Sequence, residues 1–278
     1  MSSYLDKAGL ARFWRAIKAY VDAHSGGGVS LSSVYPVGSI YMSVNSTSPA
    51  TLFGGTWERI QDRSSQAYAV YDSTDQSMTF FRDTPGKYTD GQVSGTKTYY
   101  AGFEDITGDT DPSWFDSNNY EQKNLIKTVT FKDKIKPKTC HDWFNNADYL
   151  VSITGLDKLD TTAVKDMGAM FYRCDKLTSL DLSSFNTENV TNMWSMFYYC
   201  RKLKTIYASS LFTTDAVKLS TNMFYNSTSL VGGTGTKYNA SNVDKTYAKI
   251  DGGASNPGYF TAKAVTPYLT IYMWKRTA

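Results

Sequence analysis

Apolar and polar positions follow three different rhythms along this chain. Between residues 3 and 24, Leu10, Trp14, Ile17 and Val21 recur at spacings of 4, 3 and 4, which predicts a short amphipathic helix with a coiled-coil stripe. Ser3 and Asp6 offer a cap at its start, and the glycines of HSGGG at 24–28 stop it. Residues 25–33, SGGGVSLSS, read as a flexible linker. The pattern then becomes β-like. Short strands are expected over 39–42 and 56–60, on either side of a turn-rich segment with Asn45, Pro49, Gly54 and Gly55. YAVYDSTDQSMTFFRD, within a run of hairpins at 67–104, predicts two strands about a polar turn, and 105–124 is acidic and loop-like.

The third rhythm is long. MFYRCDKL at 170–177 returns as MFYYCRKL at 196–203. Phe144, Phe171, Phe197 and Phe224 are separated by 27, 26 and 27 residues, as are Leu150, Leu177, Leu203 and Leu230. Self-similarity at this interval predicts units that bury their apolar faces only by stacking on one another. The expected fold class is accordingly α+β: a solenoid of about four leucine-rich repeats. Leu177, Leu180 and Leu182 would point inward from a short strand, and an outer segment with a helical turn would bury Val190, Met193, Met196 and Phe197. The hairpins at 67–104 would cap one end and GYFTAK at 258–263 the other. The last twelve residues, PYLTIYMWKRTA, fall outside the repeat and need a strand partner elsewhere.

Composition narrows the function classes. A net charge of +3 argues against nucleic acid or an anionic membrane as partner. No apolar run approaches the roughly 20 residues of a spanning helix, so no membrane insertion is expected. The N-terminal stretch carries scattered charge and does not read as a secretory signal. Aromatic content is high, with 21 Tyr, 14 Phe and 6 Trp, which suits both β-rich cores and binding surfaces.

The search for chemistry returns mostly negatives. His24 and His141 are the only histidines, and no metalloprotease, nucleophile-elbow or phosphate-loop motif is present. The acidic run through Asp105, Asp109 and Asp111 is a weak match to a calcium loop. Counted from Asp105, it places Thr110 at the turn glycine and Asp116 at the closing glutamate, so a solvated loop is the preferred reading. Cys174 and Cys200 share one repeat position, held by Ala147 and Ser227 in the flanking units, and read as core thiols. Cys140 lies outside that register. No catalytic residue, metal site or cofactor is expected.

Two resemblances add to this. LDLSSFNTENVTNMWSMFYYC, MFYRCDKLTSL, AVYDSTDQSMTFFRD and GYFTAK, within 67–262, resemble the BspA-type leucine-rich repeats of bacterial surface proteins. That family implies adhesion without catalysis. YPVGSIYMSVNSTSPATLFGGTWERIQDR at 35–63, with the terminal YLTIYMWKRTA, is similar to the C-terminal region of phage baseplate and tail-fibre proteins. There the two segments belong to one small β-rich unit with a variable insert between them. The combination implies four parts: a neck at 1–24, the linker at 25–33, a base of 34–63 with 265–278, and a recognition domain at 64–264. The expected protein is a phage or prophage receptor-binding fibre, located in the virion tail and homotrimeric. It would contact other tail proteins through its N-terminal helix and a host-surface protein or glycan through the repeats. The expected contact residues are the outward strand positions Ser152, Thr154, Ser179, Asp181, Thr205 and Tyr207. A bacterial surface adhesin, a structural spacer and a glycan-cleaving enzyme are the alternatives.

Overall fold

The computed structural model describes residues 40–43, 57–60, 65–114, 125–264 and 272–276. The helix expected over 3–24, the linker at 25–33 and residues 115–124 of the acidic loop lie outside the described residues. The chain divides into two compact units, Met1–Arg63 with Pro267–Ala278, and Ser64–Thr266.

In the first unit, β1 (Ile40–Ser43) and β2 (Trp57–Ile60) flank β12 (Tyr272–Arg276) in an antiparallel three-stranded sheet. The register pairs Ile40 with Lys275 and Trp57 with Arg276. The terminal strand therefore finds its partners in the segment before residue 63.

The second unit contains two sheets. The larger has the order β5-β6-β3-β4-β7-β8, built from β3 (Gln66–Asp72), β4 (Ser77–Asp83), β5 (Gln92–Ser94), β6 (Lys97–Ala101), β7 (Thr128–Phe131) and β8 (Ser152–Thr154). Its first four strands are antiparallel, and β4, β7 and β8 then run parallel. Alternation decides its faces: Met78 and Phe80 on β4, and Val129 and Phe131 on β7, are buried while their neighbours are not. The smaller sheet is parallel, with β10 (Thr205–Ala208) between β9 (Ser179–Asp181) and β11 (Phe260–Ala262).

The interval of 26 to 27 residues is the step from one turn of chain to the next along a stack. Phe144, Phe171, Phe197 and Phe224 are fully buried, and their rings follow one another at centroid distances of 5.7, 5.7 and 5.4 Å. Trp143, Phe80, Phe103, Phe131 and Trp114 continue this core under the six-stranded sheet, with Phe80 stacked on Phe131 at 4.5 Å and on Trp143 at 5.3 Å. Tyr259 and Phe260 close the far end against Phe224.

The α+β leucine-rich repeat array is not what the described residues form. They are β-rich, and their helical residues are three-residue 3-10 turns such as Phe103–Asp105 and Leu156–Lys158. The outer segments, expected to be helical, are chains of turns. Met170, Tyr172 and Cys174 donate backbone bonds to the third residue before them, whereas Met167, Ala169, Phe171 and Arg173 donate to Asn192, Trp194, Met196 and Tyr198 one rung along. A helix would need every N–H to bond within its own segment. Here every second one is taken by the neighbouring rung. The alternation is accommodated by left-handed residues at two positions in each unit: Asp142 and Asn146, Ala169 and Arg173, Ser195 and Tyr199, Asn222 and Asn226, all with φ between 50 and 59°.

Candidate recognition surface and a histidine–carboxylate cluster

The six expected contact residues do not share one sheet. Register places Thr205 beside Ser179 and Tyr207 beside Asp181 on the parallel three-stranded sheet. Ser152 and Thr154 pair instead with Thr128 and Thr130 at the edge of the six-stranded sheet, where the Thr154 and Thr130 hydroxyls meet at 3.2 Å. Asp181 accepts from the Ser183 hydroxyl at 2.7 Å and from Lys263, whose ammonium also lies 5.6 Å from the Tyr207 ring centre. Lys263 is a partner that the sequence reading missed. It follows β11, and its backbone N–H bonds to Ala208, so only the pairing of β10 with β11 brings it there.

A second surface lies on the outward face of the six-stranded sheet, read from sequence only as a cap. Phe81, Tyr88, Tyr99, Lys97, Lys132 and Asp72 line a groove of about 500 Å³. Tyr88 and Tyr99 stack at 4.1 Å and 4°, and Phe81 meets Tyr88 edge-on at 5.9 Å. A signal for it was present: the alternation that buries Met78 and Phe80 puts Phe81 on the face where polar residues are the rule. Aromatic walls with charged groups at the margin suit an extended ligand bearing both apolar faces and hydroxyl or charged groups.

A third surface feature is a column of tyrosines on the turn side. Tyr172, Tyr198 and Tyr225 stack with centroid spacings of 4.7 and 5.1 Å. Their ring faces are used on one another, so the column presents edges and hydroxyls outward. Beside it Arg201 pairs with Asp175 across one rung.

The three cysteines are free thiols in the core. Cys140 and Cys200 are buried, and desolvation pushes their thiols up from the usual value. The shared column has a structural task. The Cys174 and Cys200 thiols donate to the Phe144 and Phe171 carbonyls at 3.2 and 3.0 Å, and the Ser227 hydroxyl does the same for Phe197.

Among the described residues of the acidic loop, Asp105 and Asp111 have different partners. Asp105 pairs with Lys138 at 2.8 Å, while Asp111 lies near His141 and Asp142 on the first rung of the stack. One ligand atom from each of these three lies within 4.8 Å of the others. His141 Nδ1 bonds to Asp166 Oδ1 at 3.2 Å, and Asp166 also accepts from the Gly168 N–H at 2.7 Å and Asn192 Nδ2 at 2.9 Å. Burial works against a charge on His141, but the Asp166 bond and the carboxylates of Asp142, Asp166 and Asp111 outweigh it and raise its pKa. The sequence reading found no partner for His141, because beyond its neighbour Asp142 the carboxylates come from the next rung, at Asp166, and from a loop, at Asp111.

A family described as "Mycoplasma protein of unknown function, DUF285" matches residues 138–257, which covers His141, Asp142 and the successive rungs. Neither a curated protein nor a solved structure matches the chain.

Proposed function

We propose that this chain is a phage or prophage receptor-binding protein of the tail-fibre kind, in which Ser64–Thr266 is the recognition head. The observation that carries the reading is the position of β12 between β1 and β2. The two segments that resemble tail-fibre termini join in one sheet, and some 200 residues of β-rich stack lie between them in the sequence. Long insertions of this kind add little closure entropy, so a base can exchange heads without losing its own fold. The head offers the aromatic groove and the Asp181–Tyr207–Lys263 face as contact surfaces. Both suit a binding protein: aromatic rings give contact area at low entropic expense, and charged margins orient the ligand. No helix among the described residues is long and apolar enough to cross a membrane.

The test is binding to whole cells of the bacterium in which the gene is carried or propagated. The labelled full chain is expected to bind saturably, to be competed by unlabelled chain, and to sediment as a trimer. Tyr88→Ala with Tyr99→Ala should abolish binding if the groove is the contact, and Asp181→Ala with Tyr207→Ala if the strand face is. Saturable binding that survives both pairs, or no binding to those cells at all, would remove the reading.

A further inference from the structure

We propose that Asp111, His141 and Asp142 form a binding site for a divalent transition-metal cation of borderline softness, of which Zn²⁺ is the representative. The donor set is one imidazole nitrogen and two carboxylates, a combination that suits Zn²⁺ or Mn²⁺ better than the all-oxygen preference of Ca²⁺ or Mg²⁺. Their ligand atoms lie within 4.8 Å of one another, although they come from a loop after β6 and from the first rung, about 30 residues apart.

The geometry around His141 separates this site from an ordinary acidic patch. Asp166 is an acceptor for Gly168 and Asn192, so the hydrogen on the 3.2 Å contact to His141 belongs to Nδ1. In the neutral imidazole the lone pair is then on Nε2, the nitrogen on the side of Asp142. Nε2 stands 3.4 Å from Asp142 Oδ2, which is beyond the usual N–H···O length of about 2.7–3.2 Å. It is the separation expected between two ligands of one tetrahedral ion, since donors held about 2.0–2.2 Å from such an ion stand about 3.4 Å apart. Asp142 is 8% exposed, and Asn145 Nδ2 engages its other oxygen, so Oδ2 is turned to the histidine by its surroundings.

A metal-bound histidine is held by a carboxylate on its second nitrogen, and Asp166 stands in that place. The position that permits this is Gly168. A Cβ there would come within 2.9 Å of His141 Nδ1 and 3.0 Å of both Asp166 Oδ1 and Asn192 Nδ2. The equivalent positions in later rungs are Trp194 and Thr221, so the room exists only beside His141. Occupied, the site would pin the loop carrying Asp111 to the rung carrying His141, adding to the Thr139 hydroxyl bond to Gly108 at 2.8 Å.

The test uses the full chain freed of metal by chelation and titrated calorimetrically with ZnCl₂, with MgCl₂ as the hard-cation control. One Zn²⁺ per chain at sub-millimolar affinity, with no heat from Mg²⁺, is expected. His141→Ala and Asp142→Asn should abolish this binding. Gly168→Ala, which leaves all three ligands in place, should weaken it by about 10-fold or more. Should a variant fail to fold, the wild-type chain suffices: trace Mn²⁺ should broaden the His141 imidazole resonances at a lower ratio than those of His24. No Zn²⁺ binding, binding unchanged in His141→Ala, or equal broadening of both histidines would overturn the assignment.

Discussion

Asp251 is 4% exposed and accepts four hydrogen bonds, from the Thr234 and Thr236 N–H groups, the Thr236 hydroxyl and the Gly253 N–H. Burial pushes its pKa up, but those bonds outweigh it and hold the carboxyl well below the ordinary range. A depressed folded pKa means that the unfolded chain binds the proton first. The contribution is therefore complete above the unfolded value of about 4 and is lost as pH falls below it. Asp251→Asn should lower stability at neutral pH by about 2–3 kcal/mol and flatten the acid limb of stability against pH, read by denaturant melts from pH 7 to pH 3. Nothing in GGTGTK or KIDGG announced this knot, because three of its four donors come from a loop 15 to 17 residues away. The same holds for Thr187, whose buried hydroxyl donates to the Thr213 carbonyl and accepts from the Thr213 N–H one rung on. Residues read as repeat filler turn out to close backbone bonds between rungs.

The turn segments show why an apolar spacing of three and four misleads. Met193, Met196, Phe197, Cys200 and Leu203 are all fully buried, a spacing that one face of a helix would also produce. A chain of i-to-i+3 turns returns its side chains to one side at the same interval, so periodicity alone does not separate the two. Hydrogen bonding does, and it depends on a neighbouring rung that no local window contains. The left-handed residues give a direct test. Arg173 is exposed, has φ of 56°, and donates its N–H to the Tyr198 carbonyl at 2.7 Å. Glycine there removes about 1–2 kcal/mol of backbone strain and adds some unfolded-state entropy, while the lost contact to Asp148, at 4.0 Å, is a weak surface pair. Arg173→Gly should raise stability by about 0.5–1 kcal/mol. Arg173→Pro, which can neither adopt that φ nor donate, should lower it by more than about 3 kcal/mol. Equal melting of both variants would mean that the segment is not a left-handed turn. Strand existence was easier to read: pairs expected at 39–42 and 56–60 appear at Ile40–Ser43 and Trp57–Ile60.

For the whole molecule, β12 is the central strand of its sheet, so its removal leaves β1 and β2 each without a hydrogen-bonded neighbour. Deleting 267–278 should expose residues 40–60 to limited proteolysis and leave a resistant fragment spanning about 65–264 with unchanged melting. Loss of the fragment as well would show that the two units fold as one. The interval of 26 to 27 residues, the buried phenylalanines and leucines, and the need of the terminal strand for a partner were determined by the sequence alone. Each follows from where apolar side chains recur, and a stack must bury one face per rung whatever its backbone does. Three things waited for the tertiary structure: that the outer segments are turns and not helices, that Lys263 sits on Asp181 and Tyr207, and that Asp111 and Asp166 converge on His141. These depend on which residue of one rung lies beside which residue of the next, and on a single missing side chain at Gly168. Register between rungs is a long-range quantity, and it is set only when the chain has closed on itself.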